Sequence, residues 1–178
     1  LYEDYFENRK ITVMGLGLLG RGVGDTEFLA KMGAELIVTE KKTKEELAPS
    51  LEKLANYPGI VYEFGGHTVA SFQKRDFILK SAGVPYDSEH IAYAKSTDTP
   101  VYMSAALVTQ IVSKHVDGVT IIGVTGTRGK STCTELIAHI LRTAGYRVHL
   151  GGNVRGVANL PLLEVIEEGD YLVLELDS

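Results

Sequence analysis

The sequence predicts an α/β protein built on parallel β-sheets, and three observations carry that prediction. Short apolar runs alternate with longer stretches of helical periodicity from Ile11 onward. Two of the strand-to-helix turns, at residues 15–20 and 123–132, are rich in glycine. The residues of most chemical interest, Gly15, Glu40, Ser81, Thr125, Gly151 and Glu175, end or directly follow strand-like runs. Such alternation produces right-handed βαβ units, whose ligands sit beyond the carboxyl ends of the strands.

The elements follow in order. Ile11-Thr12-Val13-Met14 is apolar and stops at a glycine, so 11–14 reads as a buried strand, and 20–31 as the helix after it. Leu36-Ile37-Val38-Thr39 repeats the strand pattern, and the leucines at 47, 51 and 54 place a helix over 44–56. Strands at 60–64 and 77–80 are short runs bounded by turn residues. Ser88 opens a helix over 88–95, and Pro100 stands at the first position of a strand over 100–103, where a missing N–H is tolerated. Leu107, Val108, Ile111 and Val112 share one helical face within 105–114. The remainder reads as strand 120–124, helix 130–144, strand 147–150, helix 161–167 beginning at Pro161, and strand 171–176.

Bulk properties narrow the class. The chain has 178 residues, 44% hydrophobic and 23% charged, with a net charge of −5. That balance supplies no basic field for nucleic acid or a membrane surface. No apolar run approaches the ~20 residues that span a bilayer, and no signal peptide is visible. The single cysteine, Cys133, allows no internal disulfide, suits a reducing cytoplasm, and is expected to be a small buried hydrophobe on its helix. The five histidines show no metal-ligand spacing and read as structural or solvated. A monomer is expected. The chain opens on Leu1 and stops after a strand-like run, as a piece of a longer protein would.

Residues 123–132, G-V-T-G-T-R-G-K-S-T, lie between a strand and a helix in the order a phosphate-binding loop requires. Backbone N–H groups at the turn and the helix N-terminus point at phosphate oxygens. Lys130 adds a positive charge and Ser131 a hydroxyl suited to Mg²⁺. Val124 stands where the usual pattern has its first glycine, with Gly126 inside the loop instead.

Near the other end, Gly15-Leu16-Gly17-Leu18-Leu19-Gly20 fits G-x-G-x-x-G, follows a strand, opens a helix, and has Glu40 at the end of the next strand. This is the dinucleotide fingerprint of a Rossmann-like domain. The first glycine permits the turn, the second admits a phosphate, and the third, Gly20, allows close helix–strand packing. Glu40 would accept a hydrogen bond from a ribose hydroxyl. NAD and another nucleotide diphosphate both remain open, although Lys41 and Lys42 directly after the acid count against NAD. A single sheet rarely needs two phosphate loops. The chain is therefore divided at the polar step 113–117 into a Rossmann-like domain, 1–112, and the opening of a P-loop ATPase domain, 113–178.

Taken together, the motifs resemble the Mur ligases of peptidoglycan synthesis. Residues 125–132 are similar to that family's T-G-T-N-G-K-S-T, and Gly151-Gly152-Asn153 to its G-G-N segment. Residues 174–178, L-E-L-D-S, resemble the L-E-L-S-S of the D-glutamate-adding branch; residues 81–85 resemble its S-P-G-I turn. The resemblance implies ATP and Mg²⁺ as cofactors, with UDP-N-acetylmuramoyl-L-alanine and D-glutamate as substrates joined through an acyl phosphate. It assigns ATP to Gly126, Thr127, Arg128, Gly129, Lys130, Ser131, Thr132 and Asn153, with Lys130 catalytic and Ser131 and Glu175 as metal ligands. It assigns the UDP end of the substrate to Gly15, Gly17, Leu18, Leu19, Gly20, Glu40, Lys41, Lys42, Ser81 and Gly83. Arg128, Arg155 and Asp177 depart from the family pattern, and the two arginines suit an anion clamp. The family's central lysine, downstream histidine and amino-acid-binding domain would lie beyond Ser178. An NAD-dependent oxidoreductase and a non-catalytic nucleotide-binding module are the competing readings.

Overall fold

The computed structural model describes residues 2–16 and 20–176. The chain divides into two compact units, 1–104 and 105–178. The first holds α1 (Tyr2–Phe6), β1 (Lys10–Met14), α2 (Arg21–Lys31), β2 (Glu35–Glu40), α3 (Ala48–Lys53), β3 (Val61–Phe64), β4 (Phe77–Lys80), α4 (Glu89–Ser96) and β5 (Val101–Tyr102). Its strands form one parallel sheet in the order β3-β2-β1-β4-β5. The order reverses direction between β1 and β4, so the crevice for a ligand opens where those two strands end. Met14, Phe72, Ile78, Ile91 and Ala94 form a buried cluster in this unit, supported by Val84, Tyr93 and Val101.

The division between the units falls at the start of α5 (Ser104–His115). The sequence reading set its boundary at the other end of that helix. Beyond α5 come β6 (Thr120–Val124), α6 (Lys130–Thr143), β7 (Val148–Gly152) and β8 (Tyr171–Glu175). These strands are again parallel, in the order β6-β8-β7. Ala138 of α6 packs on Val148 and Val173, with Ile122, Val124, Ile137, Leu141 and Leu150 around them.

All eight expected strands form, and the differences lie in helices and turns. α1 was not expected; its last residue, Phe6, is fully buried and meets the Phe28 ring edge-on at 5.7 Å. The helix expected over 44–56 is shorter because Pro49 stands at its start and cannot donate to an earlier carbonyl. Ahead of it Thr43 and Glu46 cap one another, Thr43 N–H to Glu46 Oε2 at 2.8 Å and Glu46 N–H to Thr43 Oγ1 at 3.3 Å. The helix expected over 161–167 is a 3₁₀ turn, Leu160–Glu164, and a second such turn, Val69–Phe72, carries the buried Phe72. Cys133, expected inside, is exposed. The buried face of α6 is set by Thr134 and Ala138, one turn apart, and at 3.6 residues per turn Cys133 falls off that stripe.

Tight packing at the first glycine loop is the work of a residue other than the one expected. A Cβ on Gly20 would meet nothing within 4 Å, whereas one on Gly22 would lie 2.2 Å from the Leu16 carbonyl oxygen. Gly22, not Gly20, lets α2 sit against the loop; Gly20 is instead the left-handed cap of the helix, with φ 84°.

At the amino ends of β7 and β8 a polar knot closes the second unit. The buried Asp170 carboxylate accepts from His149 Nε2 at 2.7 Å and from the Glu167 N–H at 2.9 Å, with Arg147 Nε 3.5 Å away. Arg147 also binds the Glu167 carboxylate and the Val165 carbonyl. Burial pushes the Asp170 carboxyl up, but the Glu167 N–H, His149 and Arg147 together hold it below its ordinary value.

Two predictions follow from this packing. Gly22→Ala forces a methyl into backbone and should cost about 3 kcal/mol, against about 1 kcal/mol for Gly20→Ala, which meets only the left-handed backbone penalty. Urea denaturation of the two variants measures the difference, and equal losses would refute the assignment of the close contact to Gly22. A depressed carboxyl contributes stability that is present above its unfolded value of 3.8 and is lost as pH falls through the lower folded value. Thermal unfolding from about pH 5 down to about pH 2 should therefore show a steeper acid loss in the native chain than in Asp170→Asn.

Candidate nucleotide-binding sites

In the first unit, three strand ends are sewn together where the crevice opens. Gly15, with φ 89°, donates its N–H to the Thr39 carbonyl at 2.9 Å, and Ser81 donates its own to the Met14 carbonyl at 2.9 Å. A Cβ on Gly15 would lie 2.3 Å from Ser81 Oγ, so the glycine turn and the Ser81 turn face each other at contact distance. These are the two segments that sequence reasoning assigned to one ligand. The Ser81 carbonyl accepts from the Val84 N–H and from Lys80 Nζ, each at 3.1 Å. Gly83, on the rim of this turn, is exposed with open space around it. Gly20 opens α2 with no side-chain cap hydrogen bond, and the N-terminal end of a helix carries the positive end of its dipole. Gly17, Leu18 and Leu19 lie outside the described residues.

Glu40 ends β2 and is buried. Its Oε1 accepts from the N–H groups of Lys41 at 2.9 Å and Lys42 at 3.4 Å, so the carboxylate shapes the turn that follows it. Its carbonyl takes the Gly66 N–H at 3.1 Å, an isolated antiparallel bridge beyond the sheet proper. Lys41 is exposed and Lys42 half-buried. Behind them His67 Nδ1 lies 3.0 Å from Thr39 Oγ1, and His90 Nε2 lies 2.9 Å from the His67 carbonyl oxygen. Burial first, then the neighbouring His90 and Lys41, hold the His67 imidazole below its ordinary value.

Sequence reasoning passed over Lys80. Its side chain is buried at the end of β4, with Nζ 4.2 Å from the Tyr86 ring centroid. Lys95 approaches the same ring at 5.6 Å. A lysine closing an apolar strand run immediately before the Ser81 turn was the available signal, because a buried ammonium requires compensation.

In the second unit the loop read from the sequence as phosphate-binding spans 125–129, between β6 and α6. Gly126 takes φ 146° and Gly129 φ 78°, and Gly129 caps α6 with no side-chain hydrogen bond. The α6 N-terminus therefore faces the loop with unclaimed amides. Lys130 Nζ donates to the Gly126 carbonyl at 2.8 Å, folding the ammonium back over the loop. Thr127, Arg128, Gly129, Ser131 and Thr132 are exposed along this rim.

Register brings the other predicted residues to the same end of the sheet. Glu175 is level with Val124 on one side and with Gly152 on the other. Its carbonyl accepts the Asn153 N–H at 2.7 Å, while Leu176 donates to the Val124 carbonyl at 2.8 Å. The Glu175 residue is 7% exposed and Asn153 is half-buried. A Cβ on Gly152 would lie 2.0 Å from the Glu175 carbonyl oxygen, which is why glycine stands there. Arg155, two residues beyond Asn153, is exposed. Among the described residues no group of three or more His, Cys, Asp and Glu forms a metal cage.

No protein-family model matches the chain. It is 37% identical over 176 residues to the UDP-N-acetylmuramoylalanine–D-glutamate ligase of Borreliella afzelii, a match covering 98% of this chain and 37% of the relative. The enzyme of the same name from Geotalea uraniireducens is 35% identical over 174 residues, covering 96% of this chain and 36% of the relative. The chain thus spans little more than a third of the length of these curated relatives. Among solved structures, the UDP-N-acetylmuramate:L-alanyl-γ-D-glutamyl-meso-diaminopimelate ligase of Neisseria meningitides aligns with a TM-score of 0.53 at 16% identity, over 94% of this chain and 52% of that one. The UDP-N-acetylmuramate–alanine ligase of Thermotoga maritima aligns with a TM-score of 0.52 at 21% identity, over 95% and 37%. At such identities these two likenesses speak for the fold. On its sequence the chain belongs to the Mur ligase family, and the solved structures share its fold.

Proposed function

We propose that this chain supplies the UDP-substrate domain and the first part of the ATP-binding domain of a cytoplasmic ligase. That ligase joins D-glutamate to UDP-N-acetylmuramoyl-L-alanine at the expense of ATP. The observation that carries the reading is a pair of strand–glycine loop–helix units, each opening at the carboxyl end of its own parallel sheet. A dehydrogenase needs only the first of them. No helix among the described residues is long and apolar enough to cross a membrane.

The residues present suit the groups assigned to them. Gly126 and Gly129 hold backbone conformations that side chains rarely adopt, and the space at the Gly129 Cβ position is open, as a phosphate cradle requires. Ser131 offers a hydroxyl and Glu175 a carboxylate, the hard oxygen donors that Mg²⁺ prefers. ATP bound there would supply the γ-phosphoryl group that activates the substrate carboxylate. Lys130 would leave the Gly126 carbonyl for phosphate oxygens, and α6 amides would offset the charge gathered in the transfer. Asn153, held on the Glu175 backbone, would orient a polar contact at the rim. In the first unit the amide-lined α2 N-terminus would take the diphosphate, and the Gly15–Ser81 junction with Glu40 would hold the nucleoside. Lys41 and Lys42 would add positive charge beside it.

Two measurements test the reading. Calorimetric titration of the 178-residue chain should show UDP or UDP-N-acetylmuramoyl-L-alanine binding in preference to NADH; equal or tighter NADH binding would overturn it. In the full-length protein, Lys130→Ala should abolish amide formation while leaving UDP-substrate affinity within a few-fold of native. A loss of tenfold or more in UDP affinity, about 1.4 kcal/mol, would show that the two sites are not separate.

A further inference from the structure

We propose that Asn159 is a positioning residue of the ATP site, setting Gly152 and through it Asn153 and the end of β8. The inference rests on the ligase reading above. Among the described residues the second sheet has the order β6-β8-β7, with β7 on its outer side. Along a strand, successive residues turn their backbone groups to opposite sides. Asn153 turns its N–H inward to the Glu175 carbonyl at 2.7 Å, so Gly152 presents its N–H and C=O to the side away from β8.

On that side the Asn159 carboxamide pairs with Gly152 as a strand residue would. Its side-chain Oδ1 accepts the Gly152 N–H at 2.6 Å, and its Nδ2 donates to the Gly152 carbonyl at 3.3 Å. A carboxamide offers a donor and an acceptor together, as a peptide unit does. The residue is 2% exposed, and Leu160 and Leu163 beside it are buried, so the amide is delivered by a packed turn. The Asn159 carbonyl also takes the Leu162 N–H at 3.0 Å.

Gly152 needs this clamp. It must lack a side chain, because any Cβ would strike Glu175, and it must hold φ 81°. Glycine alone does not favour that conformation over others. A Cβ on Gly151 would meet Leu162 and Leu174 at 2.9 Å and Asn159 Oδ1 at 3.0 Å, so the neighbouring position is closely packed too. The clamp thereby fixes the peptide that carries Asn153 against the residue carrying the proposed metal-binding carboxylate.

The test uses the full-length protein with Asn159→Asp and Asn159→Leu. Aspartate keeps the acceptor but turns an oxygen toward the Gly152 carbonyl; leucine removes both bonds. Calorimetry with ATP and Mg²⁺, calorimetry with the UDP substrate, thermal unfolding and amide exchange at Gly152 are read on each. Expected are an ATP dissociation constant raised tenfold or more, UDP-substrate affinity within twofold of native, and faster exchange at Gly152. The aspartate variant should regain ATP affinity relative to native as pH falls and its buried carboxyl protonates, restoring a donor. Folded variants with native ATP affinity would overturn the proposal. So would equal loss at both sites together with a collapsed unfolding midpoint, which would make Asn159 purely structural. Failure of the native protein to bind ATP would bring down the ligase reading and this inference with it, and the native control distinguishes that case.

Discussion

The structure depends on the parallel register of its two sheets. In a parallel sheet every strand points the same way, so the carboxyl ends arrive at one edge and whatever follows them is gathered there. In the first unit this puts Gly15, Glu40 and Ser81 side by side, although they lie on three strands spread over more than sixty residues. In the second it makes Val124, Gly152 and Glu175 level with one another. A slip of one residue in either sheet would turn that sheet's terminal side chains to the opposite face and break up the grouping at its edge.

Crowding at those edges explains where the glycines fall. Gly15 gives way to Ser81, Gly22 to the Leu16 carbonyl, and Gly152 to the Glu175 backbone. Gly20 and Gly129 serve differently: each begins a helix in the left-handed region with open space around it. The first kind lets neighbouring segments touch; the second starts a helix without a side-chain cap. Buried charge at the same edges follows the same logic. Glu40, Lys80 and Glu175 close β2, β4 and β8, where a charge survives only with hydrogen bonds or opposing charge about it. The Asp170 knot at the other end of β7 and β8 follows the same rule, its carboxylate satisfied by His149 and the Glu167 N–H.

Much of this was legible in the chain itself. Strands were readable because apolar runs of four to six residues bounded by turn residues have few other uses in an alternating pattern. The strand–glycine loop–helix unit at 120–143 was readable because its glycines, Lys130 and Ser131 are contiguous, so their spacing survives in one dimension. Helix ends were less so: Pro49 and Pro161 shortened or tightened their helices, since one absent N–H changes which turn can close. Cys133 was misplaced because a single position on an amphipathic helix shifts by about a quarter turn per residue, and neighbours alone do not say which face packs.

The sequence by itself determined the α/β class, the two glycine loops, the strand-terminal acids and the family, because each is written in adjacent residues or in their period. The tertiary structure alone decided that Gly22 rather than Gly20 makes the close contact, that Lys80 lies against Tyr86, and that Asn159 completes the edge of β7 at Gly152. Those are through-space facts. They depend on the direction a side chain takes and on which backbone groups a neighbouring strand has left unpaired, and neither is encoded in spacing along the chain.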